Sequence, residues 1–204
     1  MPDHPTPVQR VLDAAQRRGV TLEVVTFDDS THTAQDAARA VGADLGQIVK
    51  SIVFVTDRDE GLEPCLVLVS GVNRVDVSLL SAILTEPRMR RATAIEAHEL
   101  TGFSIGGIPP FGHVRPIRTI MDPDLTAFET VWSAAGTANT VFPMAPATVR
   151  MLANAMVTQI AVRPEEAPRP TDAPPAPDEV SQPGETRPPE EPTEHQAAGA
   201  PSGA

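Results

Sequence analysis

Two apolar runs joined by a short charged turn set the frame of this chain. Ile48 to Thr56 is apolar and β-branched, Pro64 to Ser70 is apolar again, and Asp57-Arg58-Asp59-Glu60-Gly61 separates them. Runs of this length bounded by turn residues read as central strands, and so short a polar turn pairs them as an antiparallel hairpin. The rest of the fold has to cover that hairpin.

The flanking sequence supplies short elements of both kinds. Thr6-Pro7 opens a helix that runs to about Arg18 and stops at Gly19, with Pro at the first helical position. Thr33 with Asp36, and Thr93 with Glu96, have capping-box spacing and open helices over Ala34 to Val41 and up to Leu100, ended by Gly42 and Gly102. Val77 to Leu84 and Pro146 to Ala155 are further helices. Val20 to Phe27, Arg118 to Met121, Glu129 to Ala134, Thr140 to Phe142 and Gln159 to Val162 read as strands. The expected fold class is α/β of the α+β kind. It has a mixed, largely antiparallel, curved or barrel-like sheet with helices around it.

Composition divides the chain at Val162. Of the 22 prolines in 204 residues, 11 lie in 163–204, together with 9 acidic and 3 basic residues and no Phe, Trp, Leu or Ile. Such a segment buries too little apolar surface to offset its ordering entropy, so residues 1–162 are expected to form the domain and 163–204 a disordered Pro-rich acidic tail. The domain carries 13 basic and 18 acidic residues, which argues against a protein that coats nucleic acid along its length. It leaves room for a local grip on one RNA end. No signal-peptide core or long apolar run is present, so no membrane association and a cytoplasmic location are expected.

Cys65, the only cysteine, sits in an apolar run and reads as a buried core thiol. None of the five histidines has metal-ligand spacing to another, and no Ser-His-Asp or Cys-His set is legible. No strand leads into G-x-G-x-x-G or a Walker loop. Neither a metal nor an organic cofactor is therefore expected.

Three places could carry chemistry. Lys50 is the only lysine beside 15 arginines and stands at the start of a buried strand. A lysine there can hold a phosphate or a carbonyl, or act as a base, although a strand-end lysine reaching solvent is the plain alternative. Gly106-Gly107-Ile108-Pro109-Pro110-Phe111-Gly112 can be neither helix nor central strand. Its glycines let backbone approach a ligand, its prolines stiffen it, and its N–H groups can face an oxyanion. Ala135-Gly136-Thr137-Ala138-Asn139-Thr140 joins two expected strands and is either a hairpin or a pocket edge. His32 and His113 flank these loops, and Arg88, Arg90 and Arg91 form a basic cluster that faces solvent or phosphates.

Taken in order, these pieces resemble the YbaK/prolyl-tRNA-synthetase-associated editing family over residues 6–162. The resemblance rests on Thr31-His32-Thr33-Ala34 with Gly42, on Gln47 to Phe54 with its lysine, on Thr101-Gly102, on Gly106 to Pro110, and on Ala135 to Pro143 before a final helix. It implies a trans-editing aminoacyl-tRNA deacylase, a metal-independent hydrolase that cleaves the ester between a small amino acid, such as Ala or Cys, and the 3′ adenosine of a mischarged tRNA. Lys50 would contact the adenosine or ester. The backbone of Gly106, Gly107, Ile108, Pro109 and Pro110 would cradle the carbonyl and the developing oxyanion. Thr31, His32, His113, Gly136, Thr137 and Asn139 would line the substrate pocket. The partner implied is the aminoacyl-tRNA 3′ end, with an aminoacyl-tRNA synthetase as a further candidate. Cysteine-clearing members tend to have a serine where this chain has Pro109. A non-catalytic module that holds a tRNA end or a nucleotide is the alternative reading.

Overall fold

The hairpin is the spine of the structure. The computed structural model describes residues 6–27, 33–86 and 88–162, so Thr31, His32 and the segment 163–204 lie outside the described residues, with the expectations placed on them. In chain order the elements are α1 (Thr6–Gln16), β1 (Val25–Thr26), α2 (Ala34–Val41), β2 (Val49–Arg58), β3 (Gly61–Ser70), β4 (Arg74–Val75), α3 (Val77–Leu84), β5 (Met89–Arg91), α4 (Ala94–Thr101), β6 (Arg118–Met121), β7 (Val131–Ala134), β8 (Thr140–Met144), α5 (Pro146–Ala153), β9 (Met156–Val157) and β10 (Ala161–Val162). Short 3-10 turns cover Leu45–Gln47 and Pro123–Ala127.

Strands β2 and β3 pair antiparallel from Val49↔Ser70 to Arg58↔Gly61, with Asp59 and Glu60 as the loop. They sit inside a five-stranded sheet of order β5-β2-β3-β6-β9, in which β6 is parallel to β3 and β9 to β6. A three-stranded antiparallel sheet, β1-β8-β7, and a β10-β4 ladder complete a mixed α/β fold whose sheets do not close into a barrel. Pro64 is tolerated inside β3 for a register reason. The Ala92 N–H donates to Val53 O, so Val53 turns its backbone groups away from β3, and by alternation the Val55↔Pro64 pair is not a hydrogen-bonded one. The missing N–H of Pro64 therefore faces the β6 side, where pairing begins only at Cys65↔Arg118.

Both faces of the hairpin are buried. Val49, Val53, Val55, Leu66 and Leu68 pack into the main core with Val11 and Ala15 of α1, Leu100, Phe103 and Phe142. On the other face Phe54, Cys65, Val67 and Val69 pack against Leu80 and Leu84 of α3. Burial there pushes the Cys65 thiol up to about 12.

The local signals place the helices. The Thr33–Asp36 and Thr93–Glu96 capping boxes are both formed, and Gly42 and Gly102 end their helices with φ of 67° and 76°. The strand expected over Val20 to Phe27 shrinks to Val25–Thr26. Val20, Leu22 and Val24 do alternate inward onto the core, but no strand among the described residues pairs with them.

Candidate active site

The two larger sheets meet at a single bridge and then part. Ile48 pairs with Trp132 in parallel, while β5 covers the outer edge of β2 only from Phe54 onward. Between these points the outer edge of β2 lacks a strand neighbour among the described residues. The Asp122 N–H donates to Leu68 O, so Leu68 and its partner Ser51 turn their backbone groups away from each other, and Ser51 offers its N–H and C=O to the gap. On the opposite side, the Ala135 N–H donates to Thr140 O, so by the same alternation Ala134 turns its N–H and C=O toward the gap. A cavity of about 230 Å³ fills this opening. Val49 to Ile52 form one wall, Trp132 to Ala134 another, α2 a third, and Ile105, Gly106 and Ile108 the last.

Lys50 stands on this wall, half-buried. Its ammonium donates to Gly71 O at 3.0 Å and to Asn73 O at 2.5 Å, and its third donor has no partner among the described residues. The receiving turn is itself anchored. Asn73 Nδ2 donates to Asp122 Oδ2 and to Asp124 Oδ2, both at 2.8 Å, and the Ser70 N–H donates to Asp122 Oδ2 at 3.2 Å. Burial lowers the Lys50 pKa from its ordinary value. The charges of Arg74 and Arg91 act in the same direction, and Asp122 opposes them. A compact ammonium with rotatable donors satisfies two carbonyls of a tight turn, which a planar guanidinium does not match.

The Gly106–Pro110 loop and the 135–140 turn, separate in sequence, are docked on each other. The Gly136 N–H donates to Gly107 O at 3.0 Å. A Cβ on Gly107 would sit 2.7 Å from Thr137 Cα, and one on Gly136 would sit 2.7 Å from Pro7 O, so both positions admit no side chain. Gly106 reaches the cavity with φ of 90°. Behind the loop, His113 Nε2–H donates to Pro109 O at 2.9 Å, and its ring lies edge-on to Phe103 at 6.1 Å. Burial lowers the His113 pKa, the Pro109 hydrogen bond opposes that, and the charge of Arg10 adds to it. Arg10 lies 4.0 Å from the centre of the Phe103 ring.

The residues expected from sequence thus divide by position. Lys50, Gly106 and Ile108 share the cavity wall, joined by Ala138 from the third motif. Gly107, Pro109, Pro110, Gly136 and His113 back that wall. Asn139 is engaged in tying the chain together: its Nδ2 donates to Phe27 O at 3.0 Å, and the Phe27 N–H donates to its carbonyl at 2.8 Å. Thr137 Oγ1 lies 2.9 Å from Asn139 Oδ1 and 2.8 Å from Thr140 Oγ1. In the basic cluster, Arg90 is held by Glu96 and Asp57, whereas Arg91 reaches the cavity. Sequence reading missed Ser51 and Ser133. Both line the cavity, and neither hydroxyl has a hydrogen-bond partner among the described residues. The signal for them was a serine at a core-facing position of an otherwise apolar strand.

Residues 28–152 match the aminoacyl-tRNA editing domain family, and the chain belongs to that family. One solved structure, described as a candidate trans-editing enzyme for prolyl-tRNA synthetase, is 42% identical with a TM-score of 0.72, over 78% of this chain and 99% of that one. YwhH of Bacillus subtilis (strain 168), a protein without an assigned function, is 32% identical over 61% of this chain and 76% of its own. The multifunctional Ser/Thr-tRNA deacylase ProXp-y of Escherichia coli (strain K12) is 29% identical over 56% of this chain and 68% of its own.

Proposed function

We propose that this chain is a trans-acting aminoacyl-tRNA deacylase that frees a small amino acid from the 3′ end of mischarged tRNA in the cytoplasm. One observation carries the reading. Lys50, Gly106 and Ile108, far apart in sequence, line one cavity at the parting of two sheets. At about 230 Å³ that cavity is smaller than the roughly 300–1,000 Å³ typical of drug-sized ligands, so it suits one small aminoacyl group.

In this reading the aminoacyl group enters the gap and Lys50 uses its third donor to fix the ester or the terminal ribose. The loop backbone holds the carbonyl. Water adds to the ester carbonyl with a neighbouring substrate hydroxyl taking its proton. The acyl C–O bond then breaks, so that the ribose leaves as its protonated hydroxyl and the amino acid as the free acid. N–H groups at the cavity edge stabilise the oxyanion formed between the two steps. Such a donor contributes about 3 kcal/mol, and fixed position supplies much of the remaining rate. The protein provides geometry, and no side-chain nucleophile is required. Pro109 places no hydroxyl in the loop, and its carbonyl is committed to His113. Alanine- or cysteine-sized groups are the expected cargo. A synthetase that makes such errors is the expected partner.

The test is a panel of Ala-, Cys- and Ser-charged tRNAs incubated with micromolar protein. Release of at least one amino acid well above the spontaneous rate is expected. Tight, salt-sensitive binding of charged tRNA without release would instead establish the non-catalytic module.

A further inference from the structure

The Gly106–Gly112 segment has a second concave side. Behind it, Pro110, Phe111, Gly112 and His113 form one flank of an open groove of about 450 Å³, and residues after α1 and at the end of α5 form the other. Arg17, Arg18 and Arg115 line this groove, and no carboxylate among the described residues does. All three arginines are exposed, and their guanidinium groups make no hydrogen bond or ion pair among the described residues. Of the other exposed arginines, Arg39 is paired with Asp36 and Arg58 with Glu86, whereas Arg74, Arg88, Arg91, Arg118 and Arg150 have no ion pair among the described residues. Arg17, Arg18 and Arg115 differ from these in lining one shared concavity. In a chain of net charge −11, three guanidinium groups around one concavity, unpaired among the described residues, make a local positive field against the overall one.

Its place in the fold gives the field a purpose. Gly106 and Ile108 wall the cavity and Pro110 to Gly112 wall the groove, so a single stretch of chain separates the two. The stretch is stiff: Gly107 is docked on Gly136, and Pro109 is braced by His113. Guanidinium forks match phosphate geometry, and sequence-independent affinity for RNA comes from such contacts.

We infer that the Arg17–Arg18–Arg115 groove binds backbone phosphates of an RNA whose 3′ end enters the cavity. The groove is an anion site in its own right, and naming the anion as tRNA rests on the proposed function. Binding of an uncharged tRNA transcript is measured by fluorescence anisotropy from 50 to 200 mM salt. Wild type is compared with Arg18→Ala/Arg115→Ala and with the charge-matched control Arg39→Ala/Arg58→Ala. Each phosphate contact contributes about 0.7–0.9 to the slope of log affinity against log salt. The groove variant should lose about 1.5 of that slope and bind at least about ten-fold more weakly at 50 mM, while the control keeps the wild-type slope. Equal losses in both doubles, an unchanged groove variant, or no salt-dependent binding by wild type would each overturn the inference. Deacylation of charged tRNA separates this from the proposed function. Hydrolysis with an unchanged KM in the groove variant removes the groove and leaves the enzyme. Arginine-dependent binding without hydrolysis leaves the groove and removes the enzyme.

Discussion

Adding one methyl group at Gly107 should separate the two loops that form the back of the site. A Cβ there would lie 2.7 Å from Thr137 Cα, 2.8 Å from Thr137 C and 2.9 Å from Gly136 C. All three are backbone atoms, so no side chain can swing aside. Carbon atoms rest at about 3.5–4.0 Å, so the loops must move apart by roughly 1 Å. The movement stretches the Gly136 N–H to Gly107 O hydrogen bond, now 3.0 Å, and shifts Gly106 and Ile108 on the cavity wall. Overpacking of this kind costs about 1–3 kcal/mol, which for a domain of this size lowers Tm by roughly 2–12 °C. The kinetic effect should be larger, because a misplacement of about 1 Å can cost on the order of 100-fold in rate. Gly107→Ala and the control Gly19→Ala should be compared by thermal melt and by single-turnover deacylation. Gly19 has φ of 72°, and a Cβ there would meet nothing within 4 Å, so its substitution strains only the backbone and should leave the rate intact. Wild-type turnover by folded Gly107→Ala would refute the idea that loop docking sets the site.

Three further outcomes are expected. The Glu96 carboxyl is drawn down to about 2 from 4.5, first by the Arg90 hydrogen bond and then by the Thr93 N–H. A depressed acid stabilises the fold above its unfolded pKa, and that contribution disappears as pH falls from about 4.5 toward 2. Melts across this range should therefore show a shallower pH dependence for Glu96→Gln than for wild type. Ser133 is 1% exposed and its hydroxyl has no partner among the described residues, so in Ser133→Ala Tm should stay level or rise, by up to about 1 kcal/mol of stability; a clear fall would mean that the hydroxyl has a partner. Cys65, with its thiol raised to about 12 and 3% exposed, should resist iodoacetamide at pH 8 until the protein is unfolded, as read by mass spectrometry.

Local signals made part of this fold legible. The capping boxes at Thr33 and Thr93 fixed two helix starts, because their bonds close within three residues. The hairpin was legible because its turn is short and both strands are apolar. Met89–Arg91 was not: it is short and charged, and it is a strand only because Phe54 to Thr56 present an open edge. Val20 to Val24 is the converse, a correct inward alternation that finds no strand neighbour among the described residues. At the site, the oddity of a lone lysine and the Gly-Pro loop were visible in the sequence. Their shared cavity was not, because it arises from two sheets parting after one bridge, Ile48 to Trp132. The docking of Gly107 on Gly136 was likewise hidden, since each glycine alone reads as a turn.

Lys50 offers the most direct test of the central claim. Release of labelled amino acid from mischarged tRNA is followed under single-turnover conditions for wild type and for Lys50→Ala, with circular dichroism showing that the variant folds. Wild type should accelerate release of a small amino acid, and Lys50→Ala should lose on the order of 100-fold or more through lost positioning. Charged tRNA left intact by wild type, or a folded Lys50→Ala that works at the wild-type rate, would contradict the account.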